Sequence, residues 1–329
     1  MGEKAANAVG LLRSGLLLSL PRYYVLATRA RFELHLGYAG GLRTPAIAGI
    51  PGHVLTRGQA MRTTMNDAPD SFQLLPGAAD SPVILHVPHS SRVIPESVRD
   101  SIVLDDPALE LELDHITDSH TAEIAAAAAE AAPTGPWRFV NGLSRLVIDP
   151  ERFPDEREEM LAVGMGAVYT HTTHRERLRS PDLDPQPLID RYFHPYAEAM
   201  TAAVDERLAA TGRAVVIDIH SYPTDPLPYE LHGDGPRPPV CLGTDDVHTP
   251  PQLLAHAERA FGGFGGTGIN SPFAGTYVPL KFYGKDPRVS ALMIEIRRDV
   301  YMSEPGGPAG PGLAALAGAV AHLVQALTD

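Results

Sequence analysis

From residue 82 onward the chain alternates short apolar runs with longer stretches in which apolar residues recur at helical spacing. That is the pattern of an α/β domain, in which strands and helices take turns. The pattern predicts strands at VILHV (83–87), WRFVN (137–141), RLVID (145–149), AVVIDIH (214–220), PVCLG (239–243) and SALMIEI (290–296). Several of these are apolar at consecutive positions, which suits strands covered on both faces. Helices are expected over 108–131, 186–211, 250–261 and 310–328, the second stopping before Gly212. The expected architecture is a single three-layer α/β domain over residues 66–329 with a mixed, largely parallel central sheet. The intervening loops 150–183, 221–239 and 262–288 are long and rich in Pro and Gly, and such loops in a compact domain commonly build a site or its lid.

Composition narrows what such a domain can be. With 329 residues and 44% hydrophobic content, the chain can bury a large core. Its one cysteine, Cys241, excludes an intramolecular disulfide and any cysteine-rich zinc site, so a metal here needs histidine and carboxylate ligands. Nothing points to an oxidising compartment, and a cytoplasmic location is expected. The formal charge of -13 is uneven: residues 1–60 carry seven Lys/Arg against Glu3 and Glu33, a net +5, which leaves -18 for residues 61–329. An acidic body without a basic, aromatic-laced stripe repels nucleic acid. The basic segment holds LLRSGLLLSL (11–20), which is interrupted by Arg13 and too short to span a bilayer. Residues 1–65 are expected to be a poorly ordered extension, and no membrane partner is expected.

The residues that could carry chemistry stand where strands end. His89 follows the first strand through Pro88, and His220 closes AVVIDIH. Ligands of open α/β sheets bind beyond the carboxyl ends of strands. Between the two in sequence lies ELELDHITDSH (110–120), where Asp114 and Asp118 are four residues apart and would share a helical face. Two histidines and a carboxylate are the protein ligands of a catalytic zinc that keeps one position open. Glu295, an ionisable residue inside the apolar LMIEI, is a candidate general base, because carboxylates in such strands are rare unless paired or functional. A salt bridge to Arg297 or Arg298 is the plainer explanation of it. In SRLVIDPER (144–152), Arg145 and Arg152 offer bidentate binding to a substrate carboxylate. Ser221, Asn270 and Tyr283, with FAGTY (273–277), are expected to line the same cleft. Serine catalysis lacks a G-x-S-x-G elbow, and nucleotide binding lacks a glycine-rich phosphate loop.

Taken together, PHSS with Pro95, the acidic segment ending Thr117–Asp118, SRLVIDPER, VIDIHS, NSPFAGTY and ALMIEIRRDVYM resemble the N-formylglutamate amidohydrolase family over residues 83–302. The resemblance implies a fold similar to zinc carboxypeptidases, a bound zinc ion and a small N-acyl amino acid as substrate. It implies His89 and His220 as zinc ligands, and Glu295 as the base that deprotonates a zinc-activated water for attack on the acyl carbonyl. Arg145 and Arg152 would hold the substrate carboxylates. In the carboxypeptidase-like relatives the third ligand is the Glu of H-x-x-E; here that position is Arg92. The ligand is therefore expected from the acidic segment, as Asp118 with Asp114 its rival. The family's D-x-N-R reads DPER here, placing Glu151 where an amide is usual. Two other readings stand beside this one: the same metal acting on a peptide or cell-wall-derived amide, and a metal-free binding protein.

Overall fold

The computed structural model describes residues 71–329; the expectation for residues 1–65 lies outside the described residues. One seven-stranded sheet organises this region, in the order β1-β3-β2-β4-β7-β5-β6. Its strands are β1 (Phe72–Leu75), β2 (Val83–Val87), β3 (Trp137–Asn141), β4 (Ala214–Tyr222), β5 (Val240–Gly243), β6 (Thr267–Ile269) and β7 (Val289–Arg297). The central strands β3, β2, β4 and β7 run parallel, β1 and β5 are antiparallel to their inner neighbours, and β6 is parallel to β5. Every residue of β2 and β4 is buried, as expected for parallel strands covered on both faces.

Helices cover the two faces unequally. The helices are α1 (Glu96–Arg99), α2 (Asp106–Ile116), α3 (Thr121–Ala131), α4 (Gln186–Leu188), α5 (His194–Thr211), α6 (Pro251–Phe261) and α7 (Gly312–Thr328), with a π-turn at Ile189–Phe193 joining α4 to α5. On one face, Ile217, Ile219, Leu292 and Ile294 pack against Ile124 of α3, Leu253 of α6 and Val320 of α7. On the other, Ile84, Val216 and Ala291 meet Tyr196, Met200 and Val204 of α5. Register shows why chemistry falls on this second face: His86 pairs with Asp218, and His220 with Glu295. Paired residues share a face, so its apolar residues lie in the first halves of the strands and its ionisable ones toward the carboxyl ends.

Four elements differ from the sequence pattern. RLVID (145–149) is a run of turns rather than a strand, and its apolar residues separate: Leu146 packs beside α2, whereas Val147 and Ile148 pack with Tyr192 and Phe193. Ser144 starts the turning, its Oγ accepting from Leu146 N and its carbonyl from Val147 N, a local bond that competes with a strand ladder. The helix expected over 108–131 is two helices. Thr117, with ψ of 134°, leaves the α region, Asp118 N–H donates to His89 O at 3.0 Å, and His120 takes φ of 66° before α3 begins. Asp114 and Asp118 therefore do not share one helix. The short edge strands β1 and β6 were not apparent in the sequence, being half-exposed and only four and three residues long.

Candidate functional site

The ends of β2 and β4 bring His89 and His220 together. Their Nδ1 atoms are 3.2 Å apart, and both rings are buried. The carboxylate that joins them on this side is Asp118: its Oδ2 lies 3.2 Å from His220 Nδ1 and 3.7 Å from His89 Nδ1. The break between α2 and α3 makes this possible, because the backbone bond from Asp118 to His89 holds the two segments side by side. The other carboxylate oxygen, Oδ1, accepts from Arg298 Nη2 at 3.2 Å. Arg298, buried and just beyond β7, also donates to Ser221 Oγ and to His115 O. One oxygen of Asp118 is thus taken by a guanidinium, leaving the other toward the histidines. Burial alone would raise the Asp118 pKa, but hydrogen bonding to His220 and His89 outweighs it and holds the carboxyl well below its usual range.

Glu295 stands beside His220 on the neighbouring strand. It is 8% exposed, and its Oε2 is buried without a hydrogen-bond partner. Neither nearby arginine pairs with it: Arg297 binds Asp299 and Arg237 O, and Arg298 binds Asp118. Burial, reinforced by the charge of Asp118, pushes the Glu295 carboxyl up to about 7 against the opposing pull of His220, Arg145 and His89. A carboxyl with this value is poised to gain and lose a proton near neutrality.

The opposite edges of the imidazoles face a second set of carboxylates. His89 Nε2 lies 2.9 Å from Asp149 Oδ1. Asp149 is held by Arg145 Nη2 at 2.7 Å and by the Tyr169 hydroxyl, which donates at 2.5 Å. Burial would raise the Asp149 pKa, but Arg145 and His89 keep it well below the ordinary value. His220 Nε2 sits between Asp218 Oδ1 at 3.0 Å and Glu151 Oε2 at 3.2 Å, aligned with neither as a hydrogen bond. His89, Glu151 and His220 are close enough to hold one metal ion, and so are His86, Glu151 and Asp218. In the second group, however, His86 Nδ1 and Asp218 Oδ1 are 2.9 Å apart, the separation of a hydrogen-bonded pair.

The residues expected from sequence divide by their neighbours. His89, Asp118, His220 and Glu295 converge, and Arg145 is one residue removed through Asp149. Arg152 approaches Asp149 at 3.5 Å and Glu158 at 3.7 Å, yet its buried Nε makes no hydrogen bond. Ser221 accepts from Arg298. The Asn270 amide is engaged with Thr244, through its backbone N–H and its hydroxyl. Tyr283 stacks on His248, with ring centroids 6.0 Å apart. Asp114, the rival carboxylate, pairs with Arg92 at 2.7 Å on a part-exposed surface. Four participants were missed: His86, Asp218, Tyr169 and Arg298. Strand parity could have found Asp218, which stands two residues before His220 and so on the same face; for Arg298, which acts from beyond the strand end, the sequence holds no signal.

This is an α/β protein whose sheet ends in a buried histidine–carboxylate group able to hold a metal ion. The family model for N-formylglutamate amidohydrolase matches residues 81–302, well over half the chain, and the protein belongs to that family. The chain is similar to the crystal structure of N-formylglutamate amidohydrolase from Ralstonia eutropha JMP134, with 25% identity and a TM-score of 0.67 over 78% of this chain and 97% of that one. A gene product from Agrobacterium tumefaciens shares the fold at 20% identity, with a TM-score of 0.55 over 78% of this chain and 94% of that one. No curated protein matches the sequence. Among the described residues no helix is long and apolar enough to cross a membrane.

Proposed function

We propose that this protein is a zinc-dependent hydrolase of the N-acyl amide bond of an acidic amino acid, with N-formylglutamate as the leading substrate. The observation that carries the reading is the triangle formed by His89 Nδ1, His220 Nδ1 and Asp118 Oδ2, with sides of 3.2, 3.2 and 3.7 Å. Nitrogen and oxygen ligands about 2.0–2.2 Å from a tetrahedral zinc stand roughly 3.3 Å from one another, so the three atoms fit one ion. The set is neutral imidazole plus carboxylate without thiolate, a donor set suited to zinc. The second oxygen of Asp118, Oδ1, is already committed to Arg298, which favours single-oxygen ligation by Asp118.

A bound divalent ion would polarise the acyl carbonyl and ease the deprotonation of water. The chain supplies the remainder. Glu295 takes a proton from the attacking water and returns it to the departing nitrogen as the C–N bond breaks, giving a carboxylic acid and a free amino acid. Burial of Glu295 beside the histidines keeps bulk water from fixing its charge. Of the two arginines, Arg152 is the better placed to receive a substrate carboxylate, because its guanidinium makes no hydrogen bond within the protein, whereas Arg145 donates to both Asp149 and Tyr169. Arg145 in this reading anchors Asp149 behind His89.

The test is a hydrolysis panel of N-formyl-, N-acetyl- and N-succinyl-amino acids with zinc-reconstituted protein, alongside metal analysis. Release of the free amino acid from N-formylglutamate, lost on chelation and restored by zinc, is expected. A protein that retains no metal and hydrolyses no member of the panel would overturn the reading.

A further inference from the structure

His86 has no part in the chemistry above, yet it is fully buried in the middle of β2, between Leu85 and Val87. Both ring nitrogens have a partner. Nδ1 is 2.9 Å from Asp218 Oδ1, and Nε2 is 2.5 Å from the Tyr196 hydroxyl on α5. Asp218 in turn lies 3.0 Å from His220 Nε2, and its Oδ2 accepts the Tyr277 backbone N–H at 3.3 Å. Tyr277 also packs its ring against His86, with centroids 4.8 Å apart. A chain of polar groups therefore runs Tyr196, His86, Asp218, His220, crossing from α5 through β2 to β4 entirely inside the protein. No arginine or lysine pairs with Asp218 among the described residues, so the His86 ring, the Tyr277 backbone N–H and the nearby His220 ring are what surround its charge. Burying such a group without partners would be costly.

From this arrangement we infer that the His86–Asp218 pair, anchored by Tyr196, is a positioning device for His220. Asp218 Oδ1 lies 3.0 Å from His220 Nε2 without being aligned with it as a hydrogen bond; in this reading its charge holds the proton on Nε2 and so leaves Nδ1 as the nitrogen turned toward His89 and Asp118. It does for His220 what Asp149 does for His89, but from the sheet interior instead of from a loop. His86 keeps Asp218 ionised and turned toward His220 by donating its own Nδ1–H, which requires the Tyr196 hydroxyl to donate to His86 Nε2. Carboxylates behind ligating histidines fix ring orientation and raise ligand basicity, and their loss weakens metal binding about 10–100-fold. The inference rests on the metal reading above, and its tests separate the two.

Metal affinity is measured by titrating metal-free protein with cobalt(II) and following its visible absorption. Asp218→Asn should weaken cobalt binding about 10–100-fold and alter the absorption bands, with the fold intact by circular dichroism. Tyr196→Phe keeps the ring and removes only the hydroxyl, so it serves if the strand variants fail to fold; it should weaken binding in the same direction by a smaller factor. Arg92→Ala alters a part-exposed pair with Asp114 and Glu110 away from this chain of contacts, and should leave the affinity within a few-fold. In metal-free wild-type protein, proton NMR should show a downfield, exchange-protected His220 Nε2–H that moves upfield in Asp218→Asn. Unchanged cobalt affinity and spectrum in Asp218→Asn and Tyr196→Phe would overturn the positioning role, as would an Nε2–H resonance indifferent to Asp218, or an Arg92→Ala loss equal to that of Asp218→Asn. Wild-type protein that binds no cobalt while retaining the protected resonance would sink the metal reading and leave the His86–Asp218 support of His220 standing.

Discussion

The two edges of the histidine pair are both lined with carboxylates, but their surroundings differ. On the Nδ1 edge a single aspartate, Asp118, meets both rings, and Glu295 stands beside them without a partner for its Oε2. On the Nε2 edge three carboxylates, Asp149, Glu151 and Asp218, share two ring nitrogens and are backed by Arg145, Tyr169 and His86. Support is uneven within the second edge too: Asp149 and Asp218 are hydrogen-bonded on both oxygens, whereas Glu151 Oε1 and His220 Nε2 are buried without a partner. In the proposed reading the Nδ1 edge is the working edge of the two rings and the Nε2 edge supports it.

The largest effects should come from the working edge. Glu295→Gln should lower kcat about 10²–10⁴-fold while zinc remains bound, which metal analysis of the purified variant would check; activity within tenfold of wild type would remove Glu295 as the base. Asp118→Asn should cost the metal itself, read as loss of stoichiometric zinc after dialysis. If Arg152 receives the substrate carboxylate, Arg152→Ala should raise KM with little change in metal content, and Arg145→Ala should instead weaken the metal through Asp149. The two variants measured side by side would reverse that assignment if the pattern is exchanged.

A subtler distinction lies in pH. The Glu295 carboxyl of the metal-free fold sits at about 7, above the ordinary carboxylate value of about 4.3 that it recovers on unfolding. Between these values the folded state binds more protons than the unfolded one, so its stability falls as pH rises from about 4.3 to 7. Glu295→Gln should remove this penalty, making the metal-free variant more stable than wild type at pH 8, by about 1–3 kcal/mol, and closer to it at pH 5. Thermal denaturation at the two pH values checks the sign. In the loaded enzyme the nearby cation pulls the same carboxyl down, so the acid limb of kcat/KM should fall below pH 7.

The smallest effect is expected outside both edges. Arg92 stands at the H-x-x-E position, but it pairs with Asp114 and Glu110 on a part-exposed surface. Pairs of this kind contribute about 0–1 kcal/mol. Arg92→Ala and Asp114→Asn should therefore leave metal content and turnover within about twofold of wild type in the same assay.

Much of this organisation was legible in the sequence. Long apolar runs such as AVVIDIH identified central strands, because burial on both faces leaves no alternation to confuse. The same strands carried His220 and Glu295 at their ends, and a polar residue in an apolar strand is visible without coordinates. RLVID misled because an apolar run does not reveal whether its side chains enter one core or two. ELELDHITDSH misled because helical spacing continues on paper across Thr117, while the backbone turns away to bond His89.

The sequence by itself determined the central strands, most of the helices and the placing of His89 and His220 at strand ends, since these follow from local periodicity and strand parity. Tertiary structure decided which carboxylates surround each ring nitrogen and why Glu295 Oε2 remains without a partner. Those outcomes depend on register between strands distant in sequence, on one helix ending at Ile116 rather than running on, and on Arg298 reaching Asp118 instead of Glu295. Each is a contact made only when separate segments are packed together, and burial in that packing is also what brings the Glu295 carboxyl near neutrality.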